Sequence, residues 1–148
     1  MKNILLTLMT ILILSACAPA TADPILPIET PAPQTEEPLY LPRPEDSKLT
    51  RGGVMLESTN LLTLESFPLQ FTLELNGSLP TPCHLLRVAV NEPDSENKIL
   101  LDVYSLTNPD LICTQIVKPF EVNIPLGSFP TGHYTLWVNG NQVAEFDS

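Results

Sequence analysis

Basic residues are scarce in this chain. Seven lysines and arginines stand against seventeen aspartates and glutamates, for a net charge of −10. From Gly53 onward, eleven acids face only Arg87, Lys98 and Lys118. Such a surface repels a phosphate backbone, which excludes nucleic acid as a partner. It also leaves no polybasic patch for anionic lipid. Histidine is rarer still, with only His84 and His133. A Ser/His/Asp triad would have to use one of them, and no G-x-S-x-G turn is present to hold its serine. Cys83, His84, Cys113 and His133 carry the atoms of a metal site. Neighbours on a strand point to opposite faces, however, so no shared metal is expected there. Asp94 and Glu96 sit in a turn without apolar surroundings to raise a carboxyl pKa, so a two-carboxylate hydrolase has no basis. The turn Asn91–Asn97 also lacks the spacing and glycine of an EF-hand calcium loop. No enzyme, cofactor or metal is expected.

Long apolar runs are absent too. Lys2 gives a positive start, and Ile4 to Leu14 is apolar except for Thr7 and Thr10. Eleven helical residues span about 16 Å, against a hydrocarbon core of roughly 30 Å. The run therefore reads as a secretory signal and not as a membrane span. It ends in Leu14-Ser15-Ala16-Cys17, which resembles the lipobox of bacterial lipoproteins. The resemblance covers residues 1–17. It implies a signal peptide over residues 1–16 and a Cys17 thiol that is diacylated and becomes the new N-terminus. The protein would then sit lipid-anchored on the extracytoplasmic face of the cell envelope. Ala18 after the cysteine implies the outer membrane where a host has two.

With Cys17 lipidated, the odd count of three cysteines resolves into the pair Cys83 and Cys113. In an oxidising compartment these are expected to form a disulfide. Residues 17–51 then read as the lipidated cysteine and a proline-rich acidic linker. Eight of the sixteen prolines fall between Ala18 and Leu49. No apolar period of 2 or 3.6 runs between them, so a disordered, extended tether is expected. Pro24-Ile25-Leu26-Pro27 fits a PxxP docking pattern, one that arises easily by chance.

Residues 52–148 form a domain-sized block whose apolar pattern has period 2. Phe67, Leu69, Phe71, Leu73 and Leu75 alternate with polar residues up to Asn76-Gly77. Leu86 to Val90, Ile99 to Val103, Val122 to Leu126, Tyr134 to Val138 and Val143 to Phe146 read as further strands. Val54-Met55-Leu56 makes an initial one, for about seven in all. Pro125 places its strand at an edge or a bulge. Asn139-Gly140 is a hairpin signal, because both central residues of a type I′ turn need positive φ. Short strands at this spacing predict an all-β fold, a single antiparallel β-sandwich.

Phe129-Pro130-Thr131-Gly132-His133-Tyr134-Thr135-Leu136 resembles the start of strand F in immunoglobulin-like domains. The resemblance implies a structural corner at Gly132 and Tyr134, with the tyrosine hydroxyl bonded to backbone upstream. Leu136 replaces the usual cysteine and Trp137 is on the wrong strand, so the architecture is Ig-like without being antibody-type. Trp137 beside the hairpin is the candidate anchor for a ligand or partner, with packing across the sheet as its competing role. The expected function is a non-catalytic binding module, contacting an unidentified envelope protein or a glycan. The alternative is an Ig-like protease inhibitor at the cell surface, presenting loops near Pro80–Pro82 and Asn108–Asp110.

Overall fold

A computed structural model describes residues 37–148, which fold as a two-sheet β-sandwich with eight strands. The first sheet contains β1 (Thr50–Gly52), β4 (Leu85–Val90), β5 (Lys98–Thr107), β7 (His133–Val138) and β8 (Asn141–Asp147). The second contains β2 (Met55–Leu64), β3 (Gln70–Leu79) and β6 (Lys118–Gly127), in the order β2-β3-β6. Period-2 alternation turns Phe71, Leu73 and Leu75 of β3 inward against Ile99, Leu101 and Val103 of β5 and Leu136 and Val138 of β7. Ile124 of β6 and Val88 of β4 close the same core.

The expected strand from Phe67 to Gly77 is displaced at both ends. β3 starts only at Gln70, and Phe67 is fully exposed in the turn before it. Asn76-Gly77 does not turn: Asn76 and Gly77 pair with Glu121 and Phe120 in mid-ladder. Glycine is required there for close approach. A Cβ at Gly77 would overlap the Met55 carbonyl oxygen and the Phe120 ring,. The initial strand is also longer than Val54-Met55-Leu56 suggests, because a bulge between Leu56 and Ser58 breaks its alternation,. β6 lies at a sheet edge, and its register slips beside Pro125, where a missing N–H costs no ladder bond,.

One pair departs from the antiparallel expectation. β5 and β7 run parallel, Lys98 beside Thr135 and Leu101 beside Val138, because the chain crosses to β6 in the other sheet between them,. β5 carries β4 along one edge and, in series along the other, β7 and then β1. Asn139 fills the gap between those two partners. Its side-chain oxygen accepts from the Val103 N–H at 2.7 Å and its amide nitrogen donates to the Val103 carbonyl at 2.8 Å. Asn139 (φ 49°) and Gly140 (φ 85°) form the β7–β8 hairpin turn,.

The folded unit begins before Gly52, which corrects the linker boundary at residue 51. A 3-10 helix, Pro44–Lys48, precedes β1, and the Tyr40 carbonyl accepts from the Val88 N–H along the outer edge of β4. Arg87 is the cause. The residue is 5% exposed, and its guanidinium makes two bonds to the Asp46 carboxylate at 2.7 and 2.8 Å and donates to the Leu39 and Leu86 carbonyls. A buried cation needs this full set of acceptors. The proline-rich segment supplies all of them but the Leu86 carbonyl, and its last dozen or so residues are thereby tied to the sheet.

Candidate functional site

One pole of the sandwich is built around the two cysteines of the domain. β3 ends at Leu79, and the following turn is held by Thr81, whose hydroxyl lies 2.8 Å from the His84 Nδ1. Cys83 then bonds Cys113 across a separation of 30 residues, with Cα atoms 6.1 Å apart. Cys113 lies in the long connection from β5 to β6. Asn108 starts that connection by accepting the Asp110 N–H on its side-chain oxygen,. The chain then runs from Leu111 to Val117 without helix or strand.

Leu111, Ile112, Ile116 and Val117 all point outward on this segment, with Ile112 fully exposed. Met55 adds a thioether two-thirds exposed beside it. Met55, Val54, Leu79, Pro80 and Val117 line a shallow depression of about 400 Å³. Scattered exposed leucines are ordinary, but here four large aliphatic side chains stand exposed within seven residues,. Asp110 is the only charge between Asn108 and Val117. Sequence reading placed loops here and missed their apolar character, although Leu111-Ile112 and Ile116-Val117 carry no period-2 alternation to bury them. The disulfide holds this segment against the turn after β3.

Tyr134 lies at the opposite pole. It is buried, and its hydroxyl donates to the Pro130 carbonyl at 2.9 Å, four residues upstream. Its ring packs 5.1 Å from Phe129 and 5.5 Å from Phe146, and Phe71 lies 4.2 Å from Phe146. Gly132 exchanges two backbone bonds with Ser148. A Cβ there would make only ordinary contact with the Tyr134 ring, so the corner depends on the tyrosine and not on the glycine. Tyr134→Phe should lower unfolding free energy by about 0.5–1.5 kcal/mol, the net worth of an ordinary hydrogen bond, since Pro130 itself is exposed and its carbonyl can turn to water,. His133 points outward to Asp147 at 2.9 Å, and His133→Ala should change stability by less than about 0.5 kcal/mol. Denaturant unfolding of both variants separates the two; equal effects would show that the hydroxyl bond contributes nothing.

Trp137 occupies the outer face of its sheet, half-buried. Its ring is capped by the Lys98 ammonium at 3.9 Å, and its indole N–H donates to the Thr135 hydroxyl. Arg51 stacks likewise over Tyr104 at 3.9 Å while pairing with Asp102. Both rings present a face already taken by a cation. His84 and His133 sit at opposite poles, with Cys83 oxidised, so the four candidate metal atoms are not brought together. Among the described residues, no three His, Cys, Asp or Glu side chains converge on a common point. The Asp94 carboxylate caps its own turn. It accepts the Lys98 and Glu96 backbone N–H groups, which hold its pKa below the usual carboxylate range. Cys17 and Pro24-Ile25-Leu26-Pro27 lie outside the described residues.

A family model for the ORF11 beta-sandwich domain matches residues 73–148. The match begins inside β3 and runs through β8. The chain is 34% identical over 93 residues to the uncharacterized 10.2 kDa protein in the HgiCIIM 5′ region of Herpetosiphon aurantiacus, covering 62% of this chain and 96% of that relative. Two further 10.2 kDa proteins of the same organism, in the HgiBIM and HgiEIM 5′ regions, are 33% identical over 81 residues, covering 54% of this chain and 95% of each. No solved structure matches the chain.

Proposed function

We propose that this chain, which belongs to the ORF11 beta-sandwich domain family, is a lipid-anchored extracytoplasmic binding module with no catalytic role. The observation that carries the binding role is the apolar pole at Leu111, Ile112, Ile116 and Val117 beside the Cys83–Cys113 bridge. A pinned apolar loop meets a partner with little ordering cost, because the disulfide has already restricted it. The fitting partner is an envelope protein with an apolar cleft. A glycan fits less well, since sugar rings need an open aromatic face and Lys98 covers that of Trp137.

The anchor rests on Lys2, the apolar run to Leu14 and Leu14-Ser15-Ala16-Cys17. In cells, Cys17→Ser should move the mature protein from the membrane to the released fraction. Mass spectrometry should find the wild-type N-terminus acylated at Cys17, and an unmodified mature N-terminus would rule the anchor out. A photo-crosslinker at Ile112 should give a discrete product in native cells, while one at Glu121 on the outer face of β6 should not. Equal labelling from both positions would remove the pole as the binding surface.

The same loop favours a second reading as a protease inhibitor. Ile112 is fully exposed next to a disulfide-held cysteine, on backbone free of turns. Titration against serine and cysteine endopeptidases distinguishes the two. An inhibitor would slow a protease at near-equal concentration without being cut, whereas a simple binding module would leave every rate unchanged.

A further inference from the structure

We infer that the free edge of β2 is a strand-addition site that takes an extended, basic segment of a partner protein. The other sheet edges are defended. β4 is covered by the Tyr40 segment, β6 carries Pro119 and Pro125, β1 is three residues long, and β8 bears Glu145 and Asp147. Prolines, short length, charge and cover are the devices that keep strand edges from pairing. Past its bulge β2 is long and carries neither proline nor charge, and β8 of the other sheet approaches it without pairing. Ser58–Leu64 pairs without interruption with β3 on one side and, among the described residues, with no strand on the other. That run of seven residues contains neither a charge nor a proline. Half of its N–H and C=O groups point away from β3 and are open to an incoming backbone.

The surrounding charge selects the occupant. Glu57 and Glu65 bracket the run, and Glu74 of β3 reaches across the outer face toward Asn60. No lysine or arginine stands on β2 or β3. Leu62 and Leu64 are exposed on the same outer face. Lysine or arginine at alternate positions of the added strand would lay its aliphatic stem over these leucines and carry its charge to the glutamates. A second copy of this chain fits badly. An antiparallel two-fold pairing over the whole run centres on Leu61 and sets Glu57 of each copy opposite Glu65 of the other. Like charges facing across a ladder are destabilising. This inference is independent of the apolar pole and of the lipid on Cys17.

Hydrogen exchange on the full-length protein tests it, using capped peptides of about eight residues as probes. A valine–lysine alternating peptide should slow exchange in Ser58–Leu64 about tenfold at about ten times its dissociation constant. The same peptide N-methylated at alternate amides keeps its charge and loses its ladder bonds, so it should give no protection. A valine–glutamate peptide should give none either. Leu62→Lys, at an exposed position that leaves the core intact, should abolish the protection. The inference fails if the basic peptide protects nothing in β2, if its N-methylated form protects equally, or if protection grows with protein concentration alone.

Discussion

Asp46→Ala should lower the free energy of unfolding by about 3 kcal/mol, the low end for breaking a buried ion pair. The low end applies because the Asp46 side chain keeps 11% of its exposure, while that of Arg87 keeps 6%. Removing the carboxylate leaves the guanidinium with only the Leu39 and Leu86 carbonyls. It also frees the 3-10 helix, since Asp46 accepts the Arg43 N–H at 2.8 Å as well. Replacing both partners, as in Asp46→Ala with Arg87→Leu, should recover part of the loss, because no charge is then stranded. Urea unfolding of the single and double variants measures this. A single variant within about 0.5 kcal/mol of the parent would mean that the 37–49 segment contributes nothing to the domain.

The same pair sets a pH dependence. The Arg87 hydrogen bonds hold the Asp46 carboxyl below its ordinary value, against the burial that pushes it up. Folding thus favours the ionised form. Its contribution is complete above about pH 4, near the unfolded value, and is lost as pH falls through the lower folded value. Acid titration of stability should accordingly fall less steeply below about pH 4 in Asp46→Asn than in the parent.

Reduction of the Cys83–Cys113 bridge should cost about 3–4 kcal/mol, because the denatured chain regains the entropy of a loop of about thirty residues. That is a large part of the roughly 5–15 kcal/mol that holds a domain together. Cys83→Ser with Cys113→Ser should reproduce the effect without reductant and should loosen Leu111–Val117 as well. Thiol titration of the unfolded, unreduced protein should find neither Cys83 nor Cys113 reactive. Two reactive thiols there would overturn the bridge.

Local rules carry far in this chain where the residues that enforce them are neighbours. Tyr134, Leu136 and Val138 alternate cleanly because β7 has one core face, and Asn139-Gly140 turns because both residues tolerate positive φ. The cysteine pair is readable because the strand-patterned block of residues 52–148 holds only two thiols, Cys83 and Cys113. Non-local contacts are what the sequence leaves out. Gly77 looks like a turn glycine until Met55 and Phe120 approach it from two other strands. Nothing near Leu39 or Asp46 shows that Arg87, some forty residues on, will bury itself against them. The parallel β5–β7 pair depends on a crossover through the other sheet, which no window of alternation can reveal. The apolar loop escaped because hydrophobic pattern reports burial, and Ile112 is apolar and unburied. For the same reason the sequence leaves Trp137 open between an anchor and packing across the sheet, and gives no sign of its contact with Lys98.

Hairpin tips are ordinarily the positions that accept inserted residues, circular permutation or a grafted peptide. The tip at Asn139-Gly140 is an exception. Asn139 stands in for a peptide unit between two strands that come from distant parts of the chain, and its amide closes the last open stretch of β5. Lengthening that turn would withdraw the amide and open a seam between β1 and β7. The tip that joins β2 to β3, where Phe67 stands in solvent, carries no such joint. A tag or reporter sequence placed near Phe67 would leave the sheet intact, whereas the same insertion at Gly140 would split it.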